Sequence, residues 1–280
     1  MKHNRFVSAL KTPGFLAKEY LHRKPDPSHN WHFVGQERQA EAQRLTRELE
    51  AEGIVLLPGY FQGEKLATLQ QGFEAAVKGR NSPHDKQALL NLDFLVDHPE
   101  LMPAALDDFL LEIMTGYYGK KFALARTSAV RFHPIDEVSD AAYLWHHDAR
   151  GRQLHLMVLL NDVPPDGQRM SYLRRSHTRY YDHYRGLGEG SRFEKDVAAD
   201  PTAPERTVEL AGPAGTVGIF DANGLHTANR NNRARRDVLL FCYVSWRHFK
   251  PVRFRRADVE QLGHPKREVA TFNPYCELVG

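Results

Sequence analysis

The period of the apolar positions changes partway along the chain. From Gln36 to Glu52 the run QERQAEAQRLTRELEAE is built of strong helix formers, and Gly53 closes it as a helix stop. IVLLPGYF follows as a short apolar strand broken by Pro58 and Gly59, and a second helical run extends from Gly63 to Val77. Between Pro103 and Tyr118, apolar side chains at Leu106, Phe109, Leu110, Ile113 and Met114 recur with helical spacing. A third helix is expected there, with its apolar face laid on a sheet.

Beyond that helix the runs shorten and turn β-like. FALARTSAVRFHP, LHLMVLLNDV, RMSYL, RTVEL, GTVGIFD and VLLFCYVSW are separated by clusters of Gly, Pro, Asp and Asn. Six or more short strands after a helical start predict a mainly β fold with flanking helices (α+β), an antiparallel sandwich or jelly roll. The first thirty-odd residues carry no period, and PDPSHN at Pro25 to Asn30 is turn chemistry. Residues 1–35 are therefore expected to form an N-terminal extension, and 36–280 a single domain.

Composition narrows the class. A hydrophobic fraction of 41% and a charged fraction of 26% are those of a soluble globular protein. The formal charge of +3 comes from basic residues spread among acidic ones, so no nucleic-acid partner is expected. No apolar run approaches the roughly 20 residues that span a bilayer, and the N-terminus has no hydrophobic signal core, which predicts a cytoplasmic protein without a membrane partner. Cys242 and Cys276 are too few for a disulfide framework, in keeping with a reducing compartment. Nothing in the pattern speaks to oligomeric state.

The stretch LWHHDARGRQLHLMVLLNDV, Leu144 to Val163, carries the candidate chemistry. Residues i and i+2 of a strand share a face, so His146 and Asp148 can point together into a barrel while His147 turns to the surface. Alone, the pair reads more readily as exposed polar residues. A second histidine changes that: a strand ends at Asp221, Ala222-Asn223-Gly224 turns the chain, and His226 stands before a polar loop and a strand that begins near Arg235. Two imidazoles and one carboxylate on one face of Fe(II) leave three positions open for substrates. An arginine entering the next strand is suited to bind a carboxylate bidentately. His133, His155 and His177 are read as structural histidines with local hydrogen bonds, not as ligands.

Four phrases carry a family resemblance: EAEGIVLLPGYF; Trp145-His146-His147-Asp148; LLNDVPPDGQRMSYLRRSHT with Gly167, Ser176 and His177; and His226, Asn231, Arg235 and Arg236. From Leu49 to Trp246 the sequence resembles the phytanoyl-CoA dioxygenase family of Fe(II)- and 2-oxoglutarate-dependent oxygenases, which includes the ectoine hydroxylases. It departs from the pattern at Leu173-Arg174-Arg175, where Pro-Gly is usual, and in a shorter distal loop. The resemblance implies a double-stranded β-helix core of the jelly-roll, cupin-like kind. It implies Fe(II) held by His146, Asp148 and His226, with 2-oxoglutarate and O2 as cosubstrates. Arg235 would grip the C5 carboxylate, Arg236 would turn outward, and Thr127 and Arg131 would touch the cosubstrate from the preceding strand.

The implied activity is hydroxylation of an aliphatic carbon of a small molecule, with release of succinate and CO2. Asp148 argues against halogenation, while desaturation and ring formation stay open. The density of Arg and Tyr from Arg174 to Arg192 suggests a lid that favours a substrate bearing a carboxylate or phosphate, the alternative being a solvated loop that serves only solubility. The rival reading is a non-catalytic jelly-roll protein that binds a metal or ligand as a sensor.

Overall fold

The computed structural model describes residues 24–81, 88–136, 144–148, 152–178, 193–246 and 249–280. Helices α1 (Gln36–Glu52) and α2 (Gly63–Val77) lie where the apolar period places them. The third, α3 (Asp108–Tyr118), starts later than expected. Asp107 accounts for the difference, because its side chain accepts hydrogen bonds from the Phe109 and Leu110 amides and caps a new helix. Pro99–Leu101 and Met102–Ala105 form separate short turns ahead of it.

The strands are β1 (Ile54–Leu57), β2 (Ala88–Asn91), β3 (Ala123–Phe132), β4 (Leu154–Leu159), β5 (Met170–Leu173), β6 (Thr207–Leu210), β7 (Val217–Asp221), β8 (His226–Ala228), β9 (Arg236–Val244), β10 (Val252–Arg255) and β11 (Cys276–Val279). They form a six-stranded sheet in the order β1-β7-β4-β9-β3-β2 and a three-stranded sheet in the order β6-β5-β8. All pairings within these two sheets are antiparallel. An isolated bridge between His146 and His226 extends the smaller sheet beyond β8. The pair β10-β11 is separate and parallel.

The two sheets face each other across an apolar interior. Val130, Met157, Leu159, Phe220 and Val238 of the large sheet pack with Met170, Tyr172 and Leu210 of the small one. The opposite face of the large sheet is covered by helices: Leu156, Val158, Ile219, Leu239, Phe241 and Tyr243 join a cluster with Leu45, Leu49, Phe73, Phe109 and Ile113. Both faces of the large sheet are therefore dry, which is why LHLMVLL and VLLFCYV read as unbroken apolar runs. A fully buried Leu or Phe contributes roughly 1.5–3 kcal/mol, so these two layers hold the frame on which the site is built.

Gly53 ties the helical layer to the small sheet. It ends α1 in the left-handed conformation at φ 83°, its amide bonding Leu49 O, and a Cβ there would run into the Tyr172 hydroxyl and the His177 ring. A cleft of about 520 Å³ opens among the helices beside Phe61, Leu69, Met102 and Leu262; His146, Asp148 and His226 are not among its walls. Among the described residues, no helix is long and apolar enough to cross a membrane.

Candidate functional site

The turn after β7 sets the geometry. The Asp221 carboxylate accepts from the Asn223 amide and its carbonyl from the Gly224 amide, a tight turn of the Asx type that the Asp-Ala-Asn-Gly sequence favours. His226 emerges from this turn on the inner face of β8, opposite Tyr172. The segment carrying His146 is bound to it by two reciprocal backbone hydrogen bonds, His146 N to His226 O (3.0 Å) and His226 N to His146 O (2.9 Å). The Asp148 amide donates to Ala222 O at 3.0 Å, and the Trp145 amide to Glu194 Oε1 at 2.7 Å.

These bonds bring the three sequence-predicted ligands together. One donor atom from each of His146, Asp148 and His226 lies within 4.8 Å of the others. Asp148 Oδ1 stands 3.4 Å from His146 Nε2 and 3.7 Å from His226 Nε2. Ligands about 2.1 Å from one ion and cis to each other lie roughly 3 Å apart, so small side-chain shifts suffice to close the set on a metal.

The backbone also selects the imidazole tautomers. His146 Nδ1 lies 2.6 Å from Leu144 O and His226 Nδ1 lies 2.9 Å from Gly224 O, which places the proton of each neutral ring on Nδ1 and leaves the Nε2 lone pair facing Asp148. Three lone-pair atoms then converge without a proton among them. Their mutual repulsion is relieved by a positive charge in the middle, and the donor set can hold a divalent ion.

Protonation states agree with this. Burial and the neighbouring His146 push the His226 pKa down to about 3, so its ring is neutral across the physiological range. Burial disfavours the Asp148 carboxylate, whereas positive charge on the surrounding imidazoles would hold its carboxyl well below the usual range; with both Nε2 atoms bare, that stabilising charge would come from a bound cation. An unfolded histidine takes its proton near pH 6.5, whereas folded His226 resists until about 3. The unfolded chain binds more protons in that window, so stability falls as pH drops through it. Metal-free protein is expected to lose at most about 1.4 kcal/mol per pH unit from this residue below pH 6.5, read as a falling urea midpoint. His226→Asn removes that component, and an unchanged pH slope in the variant would refute the assignment.

The other sequence-predicted contacts are not brought to the interior. In the β3–β9 ladder, Phe132 faces Arg236, Val130 faces Val238, Ser128 faces Leu240 and Arg126 faces Cys242, and this set shares the inner face with Met157 and Leu159. Thr127 and Arg131 alternate to the helical side. Thr127 Oγ1 donates to Leu92 O at 2.5 Å. Arg131 grips Asp237 through Nε and Nη2, both at 2.8 Å, and pairs with Glu74 of α2. Those carboxylates raise the Arg131 pKa, and the arginine in turn lowers that of Glu74.

Arg235 belongs to the same outer network. Its side chain is 50% exposed, with Nε 3.2 Å from Asp237 and Nη2 3.5 Å from Glu74. Strand β9 begins one residue later, and Arg236 is the side chain that turns inward, 1% exposed with its guanidinium 4.5 Å from the Phe132 ring centre. Arg230 lies over the same ring at 4.8 Å and donates to His133 O at 2.8 Å.

Two polar groups on the inner face, Ser128 and Arg126, went unnoticed in the sequence, and a third, His155, was given only a structural role. Ser128 Oγ is buried without a hydrogen-bond partner among the described residues. Arg126 stands at the exposed end of the ladder, close enough to His155 and Cys242 for its charge to act on both. His155, read as structural, lies with Nε2 3.5 Å from Asp148 Oδ2. His147 is buried against Phe193 at 5.7 Å between ring centres, not turned to solvent. Of the Arg- and Tyr-rich stretch, residues 179–192 lie outside the described residues. At its start, Arg175 makes a bidentate pair with Glu52 at the end of α1.

Comparison with known proteins identifies the scaffold. The phytanoyl-CoA dioxygenase family model matches residues 49–236, a span that contains all three converging side chains and ends at the inward arginine. The chain belongs to the phytanoyl-CoA dioxygenase family. It is thus an oxygenase of the class that uses non-haem iron, 2-oxoglutarate and O2.

Solved structures share the jelly-roll fold. EctD from S. alaskensis, determined with 2-oxoglutarate and 5-hydroxyectoine, is 18% identical with a TM-score of 0.60, over 79% of this chain and 81% of that one. The epimerase SnoN from nogalamycin biosynthesis is 18% identical with a TM-score of 0.58, over 74% and 84%. HygX from Streptomyces hygroscopicus, determined with nickel, 2-oxoglutarate and hygromycin B, is 17% identical with a TM-score of 0.55, over 82% and 96%. The sequence matches none of the curated proteins compared with it.

Proposed function

We propose that this phytanoyl-CoA dioxygenase family member hydroxylates an aliphatic carbon of a small molecule bearing an anionic group, with His146, Asp148 and His226 as the metal ligands. The observation that carries the assignment is the convergence of two Nε2 lone pairs on one Asp148 oxygen, with both Nδ1 positions occupied by backbone carbonyls. Iron bound there supplies the activation of O2 that is coupled to oxidative decarboxylation of 2-oxoglutarate to succinate.

The chain's own residues bind, orient and exclude water. Arg236 is the buried inner-face guanidinium suited to grip the distal carboxylate of 2-oxoglutarate, and the Ser128 hydroxyl, without a hydrogen-bond partner among the described residues, offers a further hydrogen bond elsewhere along the same face. The apolar wall of Met157, Phe220, Val238 and Leu240 keeps bulk water from the cosubstrate. Arg126, at the open end of the inner face, supports an anionic substrate, since its charge reaches the His155 and Cys242 positions beside the metal site. The small-molecule ligands named for EctD and HygX support the same substrate size.

The test uses Fe(II)-loaded protein with 2-oxoglutarate, 18O2 and a panel of small carboxylates and phosphates. A substrate of the proposed class stimulates succinate formation and leaves with one labelled oxygen on carbon. Stimulation by neutral or cationic molecules only would sink the anionic substrate. A product desaturated or cyclised without added oxygen would sink hydroxylation.

A further inference from the structure

The two oxygens of Asp148 have different surroundings. Oδ1 faces the Nε2 atoms of both His146 and His226, whereas Oδ2 lies 3.5 Å from His155 Nε2. His155 is 4% exposed and sits on β4 between two paired neighbours, opposite Phe220 on β7 and Cys242 on β9. Its ring stands edge-on to Phe220 at 5.2 Å and 71°. Two residues earlier on the same face, the side-chain amide of Gln153 approaches His155 Nε2 to 2.9 Å. The oxygen and nitrogen of that amide are interchangeable by rotation, so Gln153 can turn its oxygen toward His155 and keep the proton on Nε2, where the Gln153 oxygen and the Asp148 carboxylate share it.

We propose that His155 is a positioning residue: its Nε2–H hydrogen-bonds Asp148 Oδ2 and so restricts the carboxylate to one-oxygen ligation of the metal through Oδ1. A carboxylate free to turn binds through both oxygens and occupies a position that the chelating cosubstrate or O2 requires. A donor fixed to a doubly paired strand prevents this and also aims Oδ1 at the two imidazoles. The inference rests on the assignment of Asp148 as a ligand and adds the group that sets how it binds.

Two substitutions of similar size separate the hydrogen bond from packing. His155→Gln keeps an N–H donor at the distance of Nε2, and His155→Leu fills the space without one. Co(II) affinity is measured without O2 by competition with a chromophoric chelator, and 2-oxoglutarate affinity is then measured on the Co(II)-loaded proteins by calorimetry. For His155→Leu we expect Co(II) binding about ten- to hundredfold weaker and a further loss of 2-oxoglutarate affinity, at a metal-free melting temperature near that of the wild type. For His155→Gln both affinities stay within about threefold of the wild type.

Wild-type affinities in His155→Leu would overturn the proposal, as would equal losses in both variants, which indicate packing alone. Should His155→Leu not fold, His155→Met replaces it in the same comparison with the same expected gap. A wild-type protein that binds no Co(II) overturns the metal centre itself and takes the role of His155 with it. That result differs from the others because it is seen before any substitution is made.

Discussion

Asp148→Ala is expected to abolish metal-dependent turnover while leaving the fold standing. The carboxylate is the only anionic donor of the converging set, and its Oδ1 is the atom both imidazoles face. Without it two neutral nitrogens remain, so Co(II) or Fe(II) binding should weaken by more than the ten- to hundredfold that loss of an outer hydrogen bond costs. Folding need not suffer, since the side chain is 31% exposed and the segment is held by backbone bonds to His226 and Ala222. Thermal unfolding makes the two effects separable. Metal at a hundred times its dissociation constant stabilises the wild type by about 2.7 kcal/mol, and the variant should gain nothing at the same concentration. A metal-induced shift of wild-type size in Asp148→Ala would mean that the ion is held elsewhere.

The three residues proposed as ligands were legible as a group because their signals are local. Alternation along an extended segment puts His146 and Asp148 on one face, and the Asp-Ala-Asn-Gly turn after β7 sets where His226 stands. Five strands of the large sheet were legible as β-type runs while β2 was not read, and α1 and α2 were legible as helix formers, the first with Gly53 as its stop. What failed was parity. VLLFCYV is apolar on both faces because helices cover one side of β9 and the barrel interior the other, so no polar residue marks which face is which. Arg235 and Arg236 could not be told apart by counting back from that run.

The same blindness put Thr127 and Arg131 on the wrong face of β3, where a register shift between Leu124 and Arg126 adds to it. Arg131 is an outward residue because Asp237 and Glu74 await it there, one from β9 and one from α2, partners no local pattern reveals. The start of α3 was misjudged for a related reason: an apolar period continues through Asp107, but the carboxylate competes for the first amides and restarts the helix. His155 was undervalued because a lone histidine in an apolar strand carries no hint of a carboxylate contributed by a different segment.

Arg236→Ala is expected to weaken 2-oxoglutarate binding about ten- to hundredfold and to spare the metal, because a charge-assisted guanidinium–carboxylate pair is worth roughly 1.5–3 kcal/mol and no ligand is touched. The effect should sit at the upper end of that range, since the guanidinium is buried between the two sheets, where water does not screen it. Arg236→Lys keeps the charge but loses the two-pronged geometry, and an intermediate loss is expected. Arg235→Ala is the control. Its side chain is half exposed and pairs with Asp237 and Glu74 on the helical side, so its removal should cost no more than about 1 kcal/mol of stability and leave cosubstrate affinity within about twofold. Calorimetric titration of 2-oxoglutarate into the Co(II)-loaded variants without O2 reads all three. The reverse order, a large loss in Arg235→Ala with Arg236→Ala near the wild type, would return the cosubstrate to the outer arginine and require β9 to shift its register by one residue.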